Sequence, residues 1–135
     1  MLIGKEGEKM AKVLIVEKDP TLGPMVEYRL QVLVPELRSV ILTITSQDAL
    51  AKAENAKQIG IRVAVVGKIS RYRDDLLDEQ QIINTLNLKM PGIAIISCTG
   101  QTMIGADVDV PRPEGYLNIE EVVKSFLGKK PKVAK

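Results

Sequence analysis

Histidine and tryptophan are absent from this 135-residue sequence, which has one phenylalanine, three tyrosines and a single cysteine, Cys98. Without histidine, the commonest general base is missing, and Cys98 follows an apolar run with no evident base beside it, so we do not expect an enzyme. One cysteine excludes an intramolecular disulfide and is consistent with a reducing compartment. The scarcity of aromatic rings removes the stacking platforms on which single-stranded nucleic acid is usually bound.

Long apolar runs are missing as well. No stretch reaches the roughly 18 consecutive apolar residues of a membrane span. The first ten residues, MLIGKEGEKM, are too polar for a signal peptide. The sequence therefore predicts a cytoplasmic protein without a membrane segment.

The net charge of +2 is concentrated at one end of the chain, because the last seven residues, KKPKVAK, contain four lysines and no acid. Such a terminus is typical of a solvated, flexible tail, and we expect no nucleic-acid partner. We divide the chain into an N-terminal extension (residues 1–11), one domain (residues 12–128) and a Lys-rich flexible tail (residues 129–135).

Short β-branched runs alternate with segments of helical period along the domain. This pattern predicts β-α-β units and a parallel sheet with helices on both faces. The predicted strands are 13–16, 39–44, 63–66, 93–96 and a weaker 108–110, and the predicted helices are 24–34, one capped by Ser46 and ending before Gly60, 74–88 and 119–127. The interval between Cys98 and Val108 breaks the alternation, since it has two glycines and no room for a full amphipathic helix.

Three of these segments resemble response-regulator receiver domains. KVLIVEKDP, from residue 12, is similar to that family's first strand and acidic corner, and ISC, ending at Cys98, is similar to its fourth strand. GADVDVPRPE, from residue 105, is similar to its last strand and the Lys-Pro turn that follows. The resemblance covers residues 12–128. It implies an α/β, flavodoxin-like, doubly wound, five-stranded parallel sheet in the order 2-1-3-4-5, here with the fourth helix shortened or missing.

The resemblance places Gly67 where receivers have the aspartate that accepts a phosphoryl group from a histidine kinase. Glycine has no atom that could form an acyl phosphate, so the family's reaction cannot occur at this position. Asp19, Ser70 and Asp74 lie nearby in the sequence, but none has the spacing of the lost aspartate. We interpret them as loop, cap or solvated residues and predict no catalytic residue.

The family's magnesium site is altered too. Receivers place two carboxylates after the first strand, and here the pair is Glu17 and Lys18. An ammonium about 4 Å from a divalent cation would repel it by about 8 kcal/mol at an effective dielectric constant near 20. We therefore predict neither a bound metal nor another cofactor, and we expect Lys18 to fill the space and to pair with Glu17 or Asp19.

Two further positions of the family's pocket keep polar side chains. Ser97 corresponds to the hydroxyl that senses the phosphoryl group, and Arg112 replaces the conserved lysine. One interpretation is that Ser97 bonds to backbone and Arg112 pairs with Glu17. The alternative is an anion or nucleotide site made by Lys18, Ser97, Thr99 and Arg112. The resemblance also implies a cis peptide before Pro113.

The output side of a receiver is changed as well. The aromatic switch residue of the family's fifth strand corresponds to Asp109, and the fourth helix is about two turns short. Arg71, Tyr72 and Arg73 have the composition of a binding hot spot, although a solvated helix entry is the simpler explanation. Apolar surface left uncovered near Met103 and Ile104 would favour a homodimer or a docked partner.

These changes together predict a degenerate receiver of two-component signalling that binds a protein without being phosphorylated. Its expected partner is a histidine kinase or an output protein. The alternative function is a small-anion or nucleotide sensor.

Overall fold

A computed structural model describes residues 11–70 and 75–128. The predicted tail, most of the predicted N-terminal extension, and the Arg71, Tyr72, Arg73 cluster with Asp74 lie outside the described residues. Within the described part, the predicted sheet is confirmed. It has five strands, all parallel, in the order β2-β1-β3-β4-β5. They are β1 (Lys12–Val16), β2 (Ser39–Thr43), β3 (Ile61–Val66), β4 (Ala94–Ser97) and β5 (Val108–Asp109).

Five α-helices flank the sheet in the described residues. They are α1 (Leu22–Leu33), α2 (Ser46–Glu54), α3 (Ala56–Ile59), α4 (Leu77–Lys89) and α5 (Ile119–Leu127), and a 3-10 helix (Glu114–Asn118) leads into α5. The predicted helix after β2 is thus divided in two at Asn55. It ends as expected before Gly60, whose φ of 91° is the left-handed conformation that favours glycine.

The helix starts differ from the sequence prediction. Thr45, and not Ser46, caps α2, because the Thr45 side chain accepts a hydrogen bond from the Asp48 N–H. Ser46 donates instead to Asp78 at the start of α4, at 2.8 Å. From the sequence alone, either Thr45 or Ser46 could cap the helix, because both are small polar residues. The backbone of Thr45 is extended, as expected of the capping residue, so Thr45 is the cap.

Buried apolar residues form one core on each face of the sheet. Leu14, Ala64 and Ile95 point to the face covered by α2 and α4. Ile15 and Val65 point to the face covered by α1 and α5. This alternation along central strands, with both faces covered, explains why the strands read as continuous apolar runs.

The connection from β4 to β5 contains no helix, as the sequence predicted. It packs directly against α4 through its backbone. Gln80 Nε2 donates to the Ile104 carbonyl at 2.7 Å, and Asn87 Nδ2 donates to the Gly105 carbonyl at 3.0 Å. Gly105 has a φ of 91°, and an added Cβ would lie 2.9 Å from Asn87 Nδ2. The glycine therefore allows the loop to lie close to the helix.

Candidate functional site

Gly67 follows β3 at the carboxyl edge of the sheet, where α/β proteins place their ligands. Its N–H donates to the Val16 carbonyl at 2.7 Å, so its backbone still belongs to the sheet. A Cβ at this position would lie 2.1 Å from Glu17 Oε1 and 2.1 Å from the Tyr116 hydroxyl oxygen. The space that a nucleophile would need is already filled by two other side chains.

Glu17 is the centre of the group that fills this space. Its side chain is fully buried, and Arg112 binds both carboxylate oxygens, with Nη1 to Oε1 at 2.6 Å and Nη2 to Oε2 at 3.0 Å. Tyr116 donates its hydroxyl to Oε1 at 2.8 Å, and the Asp19 N–H donates to Oε2 at 3.0 Å. Arg112 Nη1 also donates to the Cys98 carbonyl at 3.0 Å. We call Glu17, Arg112 and Tyr116 the inner triad.

Arg112, Tyr116 and the neighbouring Cys98 have raised pKa values. Hydrogen bonding to Glu17 raises the pKa of Arg112, and burial raises that of Tyr116, so both stay protonated at any physiological pH. Burial also raises the pKa of the Cys98 thiol to about 11. Cys98 is therefore a neutral thiol at pH 7 and a poor nucleophile.

Lys18 does not bind as the sequence predicted. Its ammonium donates to the Ser70 carbonyl at 2.5 Å, while Glu17 is held by Arg112 and Tyr116. The Lys18 side chain lines an open groove of about 700 Å³ beside Ile44, Thr45 and Asp78. The prediction of a partner in Glu17 or Asp19 is wrong because Arg112, with its two-pronged geometry, already uses both Glu17 oxygens.

Ser97 and Asp109 form a pair of their own. Ser97 Oγ donates to Asp109 Oδ1 at 2.6 Å, and the same oxygen accepts the Met103 N–H at 3.1 Å. The expectation that Ser97 bonds to backbone is therefore wrong, because its hydroxyl binds a side chain. The position that corresponds to the aromatic switch holds a carboxylate that fixes the β4–β5 loop.

The Asp19 side chain binds the start of α1 and not the side chains of the pocket. Its Oδ1 accepts the N–H groups of Thr21 and Leu22 at 2.8 and 2.9 Å, and these bonds lower its pKa. The two backbone donors hold one of its oxygens at the start of α1.

The pocket does not fit the magnesium ion that the resemblance implies. Both Glu17 oxygens are occupied by Arg112, and Gly67 supplies no ligand. No cluster of three or more acidic, cysteine or histidine side chains is placed to hold a metal among residues 11–70 and 75–128. In the same residues, every buried side-chain nitrogen or oxygen has a hydrogen-bond partner, so none is left directed at a ligand.

Sequence reasoning missed Tyr116 and Glu79. Tyr116 lies in the 3-10 helix after the cis peptide between Arg112 and Pro113, the configuration that the resemblance implied. Glu79 is fully buried and accepts the N–H groups of Ile69 and Ser70, at 2.6 and 2.9 Å, and the Ser70 hydroxyl at 2.6 Å. Tyr116 could have been singled out as one of the few aromatic residues in the sequence. Glu79 could not, because it resembles any acidic residue in the first turn of a helix.

Solved structures of receiver domains share this fold. The response regulator domain of Thermotoga maritima CheB matches with a TM-score of 0.67 at 14% identity, over 90% of this chain and 98% of that one. Vibrio cholerae chemotaxis protein CheY4 matches with a TM-score of 0.67 at 19% identity, over 87% and 98%. A chain from the complex of the CheA3 P1 domain with CheY6 of R. sphaeroides matches with a TM-score of 0.66 at 15% identity, over 90% and 99%.

By sequence, no protein-family model and no curated protein matches the chain. The structural matches define the class of fold, which is the flavodoxin-like fold of response-regulator receivers. None of the described helices is both long and apolar enough to cross a membrane.

Proposed function

We propose that this chain is a phosphorylation-independent pseudo-receiver, a cytoplasmic signalling domain that binds a protein partner through a fixed surface and catalyses no reaction. The observation that carries the proposal is the filled space at Gly67, where Glu17 and Tyr116 atoms lie 2.1 Å from the position of a Cβ. A receiver that had merely lost its aspartate would keep a cavity there. Here the missing side chain is replaced by a buried, fully paired polar group.

The inner triad also fixes the segment that follows β5. Arg112 and Tyr116 flank the turn at Pro113, and both bind Glu17 at the end of β1. These charge-assisted hydrogen bonds tie the segment after β5 to the end of β1, an inner strand of the sheet. The surface around the turn is thereby held in one conformation without a phosphoryl group.

The proposed partner is a histidine kinase or an output protein of a two-component pathway. One structural neighbour, matched at 15% identity, comes from a complex of the CheA3 P1 domain with CheY6. That complex supports a protein partner, because the matched chain is in a complex of two different proteins.

The geometry does not favour the anion or nucleotide sensor. The four groups that would bind the anion are each engaged elsewhere: Lys18 with the Ser70 carbonyl, Ser97 with Asp109, Thr99 with the Gln101 carbonyl, and Arg112 with Glu17. An anion would have to displace a buried carboxylate to reach Arg112.

Amide NMR spectra of the full chain test the proposal. The protein is titrated with Mg²⁺ and beryllofluoride, then with inorganic phosphate alone, beside a receiver that has its aspartate. We expect no shifts at Glu17, Lys18, Gly67, Ser97 or Arg112 in either titration. Shifts that require Mg²⁺ would overturn the proposal, and shifts with phosphate alone would establish the anion sensor in its place.

A transfer assay tests the partner. A histidine-kinase P1-type domain, phosphorylated with labelled phosphate, should pass no label to this chain. Binding measured by calorimetry should be the same for the phosphorylated and unphosphorylated domain. Transfer of label to this chain would contradict the proposal directly.

A further inference from the structure

Three cations lie together at the amino edge of the sheet, opposite the Gly67 pocket. Lys12 begins β1, Arg38 immediately precedes β2, and Arg62 is the second residue of β3. These strands are neighbours, and Lys12 is aligned with the residue after Arg38 and with the residue before Arg62. The Arg38 N–H also donates to the Ala11 carbonyl at 2.7 Å. We call Lys12, Arg38 and Arg62 the basic edge.

The basic edge has no acidic partner in the described part of the chain. None of its three cations forms an ion pair with an acid among residues 11–70 and 75–128, although all three are exposed or partly exposed. Lys89, at the end of α4, differs, because it complements a helix dipole and lies 3.6 Å from Glu54. The basic edge belongs to strands, so neither an ion pair nor a helix dipole accounts for it.

The carboxyl edge of the sheet has the opposite character. Its loops and helix starts carry exposed or partly exposed acids, which are Asp19, Asp48, Asp75, Asp78 and Glu114. β1 is five residues long, so the two edges are about 16 Å apart at about 3.3 Å per residue. Physiological salt screens charges over about 8 Å. The two edges therefore act as separate electrostatic surfaces.

Exposed leucines lie on both sides of the basic edge. A helix that joins two parallel strands ends at the amino edge, and α1 and α4 both do so. Leu33, the last residue of α1, is 39% exposed, and Leu88, next to last in α4, is 74% exposed. The two helices cover opposite faces of the sheet. The basic edge thus lies between two aliphatic side chains that the core does not bury.

We infer that the basic edge docks this domain on an anionic lipid surface, with the acidic carboxyl edge directed away from it. The cytoplasmic leaflet of a membrane is negative, and each Lys or Arg near it strengthens binding about five-fold. The last seven residues of the chain add four more lysines. The inference goes beyond the proposed function, because no step in it depends on the Gly67 pocket.

The leucines favour lipid over nucleic acid as the anionic partner. Both partners would attract the basic edge through phosphate groups. Against a nucleic-acid backbone, however, Leu33 and Leu88 would gain nothing. Against lipid, aliphatic side chains beside a basic patch insert at the boundary between head groups and acyl chains.

Co-sedimentation of the full chain with vesicles tests the inference. At about 0.1 M salt, we expect binding to vesicles of phosphatidylglycerol mixed equally with phosphatidylcholine, and none to phosphatidylcholine alone. Arg38→Glu reverses one charge and should weaken binding about 25-fold, the square of the effect of removing one cation. Lys68→Glu, the matched control, makes the same change at the carboxyl edge and should alter binding less than about two-fold.

A second pair of variants tests the choice of lipid. Leu88→Ser should weaken vesicle binding about five-fold. Leu117→Ser is its control, because Leu117 is 56% exposed but lies in the 3-10 helix after the pocket. It should leave vesicle binding unchanged. A DNA duplex at the same salt should bind more weakly than the anionic vesicles.

Three results would overturn the inference. These are no binding to the anionic vesicles, binding that Arg38→Glu and Lys68→Glu change equally, and tighter binding to the duplex, which would make the partner a nucleic acid. Should Arg38→Glu fail to fold by circular dichroism, amide exchange of the natural chain with and without vesicles decides. Slower exchange at 36–38 and 87–90 supports the inference, and exchange that vesicles leave unchanged there refutes it.

Discussion

The Gly67 pocket and the surface formed by residues 80–88 of α4 and 99–106 of the β4–β5 loop treat polar groups in opposite ways. In the pocket, a carboxylate and a guanidinium are brought inside the protein and paired at 2.6 Å. The two surface segments contain no Asp, Glu, Lys or Arg, and their Ile104 and Leu88 side chains are exposed to water. The first arrangement contributes to folding, because its groups are already satisfied within the chain. The second contributes little to the fold and leaves binding energy available for a partner.

Adding a side chain at position 67 should have the largest effect on stability, and it tests the role of the pocket in the fold. Gly67→Asp should destabilise the protein by about 4 kcal/mol or more, because its Cβ collides with Glu17 and Tyr116 and its carboxylate adds a second buried charge. Urea denaturation followed by circular dichroism measures the loss. Gly128→Asp is the control, since the nearest atom to its Cβ lies 3.6 Å away, and it should cost less than about 1 kcal/mol. If Gly67→Asp were as stable as the natural protein, the close packing around Gly67 would not be needed for the fold.

Removing the cation of the inner triad should be nearly as damaging. Arg112→Met leaves the Glu17 carboxylate buried without a counter-ion, which typically costs about 3–5 kcal/mol. The double variant Glu17→Gln with Arg112→Met should recover part of that loss, because it removes the unpaired charge. Both are measured by urea denaturation at pH 7. Equal stability of Arg112→Met and the natural protein would contradict the assignment of the ion pair as structural.

Removing one hydroxyl from the inner triad has a smaller expected effect. Tyr116→Phe keeps the packing and deletes the 2.8 Å bond to Glu17, which should cost about 1.5–3 kcal/mol, as for hydrogen bonds to charged groups. Tyr28→Phe, at a tyrosine that is 67% exposed, should change the stability by less than about 0.5 kcal/mol. The difference between the two variants isolates the buried bond.

An ion pair outside the pocket gives a weaker, pH-dependent effect. Arg29 binds both oxygens of Glu120, at 3.0 and 2.9 Å, and this lowers the pKa of Glu120 below 4.5. A lowered pKa means that the pair stabilises the protein fully above pH 4.5 and loses this contribution as the pH falls through the folded-state pKa. Thermal unfolding of Arg29→Gln and the natural protein should therefore differ at pH 7 and converge toward pH 3. A difference that persists at pH 3 would rule out this ionic contribution.

The smallest stability change is expected at Ile104 in the β4–β5 loop. Ile104→Ser, measured by urea denaturation, should alter the free energy of unfolding by less than about 0.5 kcal/mol, because Ile104 is 81% exposed. A large loss of stability would mean that Ile104 supports the fold, and the contrast between the two regions would disappear.

The parallel sheet and the loss of a helix before β5 could be predicted because they follow from local patterns, and the strand order 2-1-3-4-5 was implied by the resemblance to receiver domains. Runs such as 63–66 identify buried strands, and the interval after Cys98 is too short and too rich in glycine for an amphipathic helix. The position of Gly67 at the end of β3 could be predicted because the resemblance to receiver domains aligns the residues of that strand one by one. Each of these predictions needs only the order of residues.

The partners of the polar residues could be predicted only in part. The pairing of Glu17 with Arg112, 95 residues away, was one of the two interpretations that the sequence left open, whereas the bond from Lys18 to the carbonyl of Ser70, 52 residues away, was not predicted. Which donor reaches which acceptor depends on distances of a few tenths of an ångström across the sheet edge. For Lys18, the sequence offered Glu17 and Asp19 as acceptors, and the Ser70 carbonyl that it binds became visible only in three dimensions.

The filled space at Gly67 also constrains how such a sequence could change over time. An aspartate at position 67 would overlap Glu17 and Tyr116, which occupy its volume. Replacing Glu17 or Tyr116 alone would leave buried partners unsatisfied while position 67 remained a glycine. A side chain can therefore be accommodated at position 67 only when several neighbouring residues change together. The packing around one glycine makes these positions depend on one another.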